Sequence, residues 1–126
     1  MKRVTLVVGA SPKIDRYSNR AVRTLLEKGH EVIPLNPAYQ QIEGLRCVSR
    51  VSEAPSPVDT VTLYLAPQNQ KGLADELIAL QPHRVIFNPG TENPELQAEL
   101  KASGVPYIEA CTLVLLNTNQ YGSPEI

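Results

Sequence analysis

The stretch VTLVVGASPKIDRYSNRAV, residues 4–22, changes its period partway along. Its first five residues form a continuous apolar, largely β-branched run that halts at Gly9, the pattern of a parallel strand covered on both faces. After the turn, Ala21, Val22, Leu25 and Leu26 make an i, i+1, i+4, i+5 stripe that only a helix can keep on one side. Ser18 is the expected N-cap, and Gly29 supplies the left-handed stop. A strand, a turn with a single glycine, then a helix: the question is what sits on that turn.

The same alternation continues downstream. Strands are predicted over 31–35, closed by Asn36 and Pro37, then over 60–65, 84–87 and 106–108. Helices are predicted over 67–80, from Asn93-Pro94 to about Ser103 with a stop at Gly104, and over 112–116. Residues 38–58 read as a long Pro- and Ser-bearing connection with one short edge strand over 46–48. Strands alternating with helices call for right-handed crossovers. The predicted fold is therefore α/β and doubly wound, a mainly parallel sheet of five to six strands with helices on both faces. Its ligand crevice lies at the carboxyl ends of the strands, here 9–16, 36–39, Ala66 and Pro67, 88–90 and 110–112.

Length and charge narrow the function. A chain of 126 residues fits one domain, and a net charge of -1 offers no global attraction to nucleic acid or to an anionic membrane. No stretch approaches 18 apolar residues and no secretory leader is evident, so the expected compartment is the cytoplasm, where Cys47 and Cys111 are reduced thiols. The two cysteines have no metal spacing, and Asp15, Asp59 and Asp75 form no pair suited to acid–base work. His30 and His83 fall at loop ends remote from the crevice, Cys47 reads as a small packing residue, and Arg23 belongs to the solvated helix face. No catalytic residue is assigned.

The turn itself lacks the two later glycines of a G-x-G-x-x-G dinucleotide fingerprint, reading Gly9-Ala10-Ser11-Pro12-Lys13-Ile14-Asp15-Arg16-Tyr17-Ser18. The acid that would take a ribose diol at the end of the second strand is also missing. Backbone N–H groups and the Ser11 and Ser18 hydroxyls can still face a phosphate over the helix N-terminus, with Lys13, Arg16 and Arg20 adding positive charge.

The combination G-A-S-x-x-x-x-R-x-S after the first strand, P-x-N-P after the second, I-x-G at 42–44 and V-D-x-V at 58–61 resembles the small stand-alone CoA-binding proteins. These are Rossmann-like domains related to the CoA-binding part of succinyl-CoA synthetase, and the resemblance runs to about Cys111. It implies that Gly9, Ala10, Ser11, Arg16, Tyr17 and Ser18 hold phosphates and ribose and that Asn36 and Pro37 border the adenosine, while Ala66 and Pro67 join them in the expected site by their place at a strand end. Where such proteins often carry Trp and Gln before the glycine that follows a later strand, this chain has Phe87-Asn88-Pro89-Gly90, and Leu113 to Leu116 stand where polar residues are expected. The expectation is a single Rossmann-like domain over 1–126 that binds coenzyme A or an acyl-CoA without catalysis of its own. Two alternatives stay open, an enzyme of acyl-CoA or thiol metabolism using Cys111 and an NAD(P)-binding protein. So do a homodimer and docking on a larger enzyme.

Overall fold

A computed structural model describes residues 3–55 and 57–123. Strand β1 (Val4–Val8) leads into helix α1 (Tyr17–Glu27), and β2 (Glu31–Leu35) into a small hairpin of β3 (Gln41–Ile42) and β4 (Leu45–Arg46). Then follow β5 (Thr60–Leu63), α2 (Leu73–Leu80), β6 (Arg84–Phe87), α3 (Pro94–Ala102), β7 (Tyr107–Glu109) and α4 (Thr112–Asn117). The main sheet has the order β2-β1-β5-β6-β7, with every pairing parallel. The chain passes from β1 to one side and returns to β5 on the other, so strand order reverses between β1 and β5, and the crevice opens above their carboxyl ends.

Alternation along the strands divides the core. Leu6, Val8, Val61, Leu63, Val85 and Phe87 pack against Leu73 and Leu77 of α2 and Leu96 and Leu100 of α3. Val7 and Ile86 face Val22 and Leu25 of α1 and Leu115 and Leu116 of α4. The expected helices on both faces and the five-stranded parallel sheet are thus present. No helix among the described residues is long and apolar enough to cross a membrane.

Several boundaries differ from expectation, each for a local reason. The segment predicted as an edge strand over 46–48 is instead the tail of the β3–β4 hairpin, whose tip residues Glu43 and Gly44 both have positive φ, as a type I′ turn requires. Val48 alone bridges to Leu35, its N–H donating to the Pro34 carbonyl at 2.9 Å. Pro34 therefore turns its missing N–H toward the outer edge, where β1 loses nothing. The helix predicted over 67–80 is broken: a single 3-10 turn (Pro67–Asn69) precedes Gly72 at φ 76, and α2 starts after it. The strand expected over 60–65 stops at Leu63, which frees Tyr64 to Pro67 to line the crevice. Ser18 does not cap α1. Arg16 occupies that position because Arg16 N–H bonds to Lys13 O and Arg20 N–H to Arg16 O, starting the helix two residues earlier. At the other end Gly29 N–H bonds Leu26 O and His30 N–H bonds Leu25 O, a Schellman stop around a glycine at φ 83. Asn93 caps α3 through Leu96 N–H, as predicted.

Candidate functional site

The loop between β1 and α1 is held from behind by its own carbonyls. Asn36 Nδ2 donates to Ala10 O at 2.8 Å, Asn19 Nδ2 to Ser11 O at 2.9 Å, Arg16 N–H to Lys13 O at 3.1 Å and an Arg23 guanidinium N–H to Ile14 O at 3.0 Å. Four carbonyls of the loop are thereby occupied, as are the N–H groups of Gly9, Ala10, Lys13 and Arg16. The first turn of α1 carries neither a capping side chain nor an acidic residue. The amides of Tyr17, Ser18 and Asn19 consequently find no backbone acceptor among the described residues, and the positive end of the helix dipole is open there.

Each predicted site residue has a definite place. Gly9 adopts φ 86, and a Cβ on it would lie 3.0 Å from Leu65 Cδ2 and 3.2 Å from the Tyr64 carbonyl carbon. The first loop therefore touches the end of β5 along bare backbone, and Ala66 and Pro67 follow directly, half-buried. Gly9 and Ala10 both give their N–H to Leu35 O at 3.1 Å, and Ala10 is fully buried, so these two shape the shelf while their donors face the protein. The Ser11 hydroxyl oxygen accepts from Lys13 N–H at 3.1 Å, leaving its proton to give. Arg16 is exposed, Tyr17 is 68% exposed with the Arg20 guanidinium 5.5 Å above its ring, and Ser18 is buried. Asn36 accepts from Ala38 N–H at 2.8 Å while gripping Ala10 O, which ties the exposed Pro37 turn to the first loop.

Two parts of the site lay beyond the sequence reading. Asn19, fully buried, is the keystone: besides Ser11 O it donates to Glu43 Oε2 at 3.0 Å and accepts from Arg23 Nε at 2.8 Å. Nothing local marks it, since its partners stand 8, 24 and 4 residues away. Arg23, assigned above to the solvated face, is corrected accordingly: its guanidinium reaches back over the first turn, donating to both Asn19 Oδ1 and the Ile14 carbonyl.

The far end of the crevice is closed. Asn88 donates to Thr62 Oγ1 at 2.7 Å and Leu63 O at 2.8 Å and accepts from Thr112 N–H at 2.9 Å, binding β5, β6 and α4 into one plug. Burial pushes the neighbouring Tyr64 hydroxyl well above its ordinary value, and the adjacent Cys111 adds to this. Cys111 is free and half-buried after β7. Cys47 is buried, its S–H directed at Asn36 O at 3.4 Å, and burial raises its pKa. His30 is buried at the opposite, amino-terminal end of the sheet, where Nδ1 accepts Arg3 N–H at 2.8 Å, and His83 is exposed beside Asp59. No group of three or more His, Cys, Asp or Glu suited to a metal occurs among the described residues.

Known proteins are similar to this chain in sequence and fold. An uncharacterised protein, YneT of Bacillus subtilis strain 168, is 30% identical over 98 residues, spanning 78% of this chain and 73% of its own length. A crystal structure of an uncharacterised protein is 40% identical with a TM-score of 0.86, covering 95% of this chain and 98% of that one. A conserved hypothetical protein from Pyrococcus furiosus is 36% identical with a TM-score of 0.82, covering 90% and 98%. Residues 3–117 match the family described as the CoA binding domain, and with the loop, the parallel sheet and its switch point all in register with that match, the chain belongs to this family.

Proposed function

We propose that this chain binds coenzyme A, or an acyl ester of it, through the ADP half, acting as a non-catalytic or regulatory module in a single domain. The observation that carries the reading is the inward commitment of the loop carbonyls at Ala10, Ser11, Lys13 and Ile14. With four carbonyls already occupied, the loop and the first turn of α1 can offer N–H groups to an anion. Exposed Lys13, Arg16 and Arg20 add charge at the same place, and a guanidinium suits phosphate through paired donors. The missing Cβ at Gly9 lets the first loop close on Leu65 at the end of β5, which sets the crevice between the Asn36–Pro37 turn, as the border of the adenosine, and Ala66 and Pro67. Family membership favours CoA over other phosphate-bearing ligands.

Calorimetric titration with CoA, ATP, NAD and NADP tests this. Tighter binding of CoA than of NAD is expected; NAD binding as tightly as CoA, or more so, defeats the reading.

A further inference from the structure

The chain has no carboxylate after β2 where a dinucleotide fold reads its ribose, and the structure puts a cation there instead. Beyond the Asn36–Pro37 turn lies a polar cleft of about 680 Å³ whose lining includes Pro37, Tyr39, Gln40, Gln41, Arg46 and Ser49. Its walls are fixed by the backbone: Cys47 N–H donates to Gln40 O at 2.8 Å, and Gln41 pairs with Arg46 across the hairpin. The turn that forms the cleft is the same one that grips Ala10 O, so the cleft adjoins the shelf above β1.

Arg46 is exposed, and its guanidinium makes no hydrogen bond or ion pair among the described residues. The acids around it are engaged elsewhere. Glu43 accepts from Asn19, Glu53 accepts from Ser49 N–H at 2.7 Å, and Glu76 is paired with Arg50 at 2.8 Å. An uncommitted guanidinium, amide side chains, a hydroxyl and the 41% exposed Tyr39 ring together match a nucleoside phosphomonoester, with the phosphate on Arg46 and the ring beside the base or sugar. In dinucleotide folds this position past the second strand takes an acid for a free ribose diol and an arginine for a ribose phosphate.

We propose that this cleft is a phosphomonoester subsite and that Arg46 is the residue that selects ligands carrying a phosphate on the adenosine ribose. The inference rests on the CoA reading and names the part of the ligand that makes CoA different from its dephosphorylated form. The phosphate accepts from Arg46 while the pyrophosphate lies on the α1 shelf.

The test is calorimetric titration of the wild-type chain and the R46A and R46K variants with CoA, dephospho-CoA, and adenosine 3′,5′-bisphosphate against ADP. Wild type should prefer the ribose-phosphorylated member of each pair by roughly ten- to a hundredfold, the worth of a charge-assisted hydrogen bond. R46A should lose that preference while keeping its affinity for dephospho-CoA, and R46K should keep part of it. If CoA binds but R46A lowers both ligands equally or neither, the Arg46 assignment is overturned and the CoA reading stands. If neither CoA nor dephospho-CoA binds, both fall.

Discussion

Replacing Gly9 by alanine separates two costs that are usually confounded. At φ 86 an L-residue is disfavoured by about 1–2 kcal/mol whatever surrounds it. The new Cβ would also meet Leu65 Cδ2 at 3.0 Å and the Tyr64 carbonyl carbon at 3.2 Å. A leucine tip can swing away, but Tyr64 N–H is bonded to Val8 O at 2.9 Å, so its backbone is pinned to β1. Overpacking against an immobile neighbour costs about 1–3 kcal/mol, for a total of about 2–5 kcal/mol. Gly44→Ala is the control: φ is 75 there, yet no heavy atom lies within 4 Å of the added Cβ, so only the conformational cost applies. Urea unfolding followed by circular dichroism should place G9A well below G44A in stability. Thermally the gap should be about 4–12 °C for a chain of this size. Equal destabilisation of the two variants would mean that the first loop does not approach the end of β5, and the crevice would have to be redrawn.

Two further variants probe the loop and the base of the sheet. Asn19→Ala removes the donor to the part-buried Ser11 carbonyl, at about 1–3 kcal/mol for the acceptor left unpaired, and leaves Arg23 with its bond to Ile14 O alone. Amides of residues 11–15 should then exchange faster with solvent; unchanged loop protection would remove Asn19 from the keystone role. For His30, burial lowers the pKa below the ordinary 6.5, and the Arg3 and Arg84 charges press the same way. The unfolded chain thus binds the proton more readily. Stability should be complete above about pH 7 and decline as pH falls through 6.5 toward the lower folded value, by up to about 1.4 kcal/mol per unit. Asp59, which hydrogen bonds from Thr60 and Arg3 hold below 3.8 against the opposing effect of burial, stays ionised throughout that window. His30→Gln should flatten the urea-midpoint profile between pH 7.5 and 5, and an unflattened profile would place the titration elsewhere.

What the sequence disclosed and what it withheld follow from the range of the interactions. The strands of the sheet were legible because both faces are covered, so β1, β2 and β6 read as near-continuous apolar runs. Gly29 and the Asn93-Pro94 pair marked their helix ends because capping is settled within five residues. The hairpin was missed because its two-residue strands are too short for a period, and the Glu43-Gly44 tip holds a residue type rare at positive φ. Helix α2 was begun too early because the spacing of Leu73, Leu77 and Leu80 was carried back to Pro67, across Gly72 at φ 76 and Gln70, whose side-chain amide is spent on Leu65 O and Thr91 O. Lys13, Arg16 and Arg20 lie exposed on the first loop and the first turn of α1. Asn19, Arg23 and Arg46 act through partners distant in sequence or through the lack of one, which no local pattern encodes.

The two ends of the sheet show why the state of a cation, more than its presence, indicates its role. At the amino-terminal end Arg3 and Arg84 are buried, with Arg3 on Asp59 at 2.8 Å and Arg84 on Thr60 Oγ1 at 2.8 Å and Tyr121 O at 2.7 Å, its guanidinium 4.5 Å over the Tyr121 ring. Removing either would leave buried partners stranded, so these arginines belong to folding. At the carboxyl end Lys13, Arg16, Arg20 and Arg46 are exposed, and the local acids Glu43 and Glu53 are bonded to amide donors. With a net charge of -1 over the whole chain, this concentration is a local field and not a global one. Cations that fold the protein have their partners within it; those at the carboxyl end form no ion pair among the described residues, and that is the condition on which the proposed binding of a phosphate-bearing ligand depends.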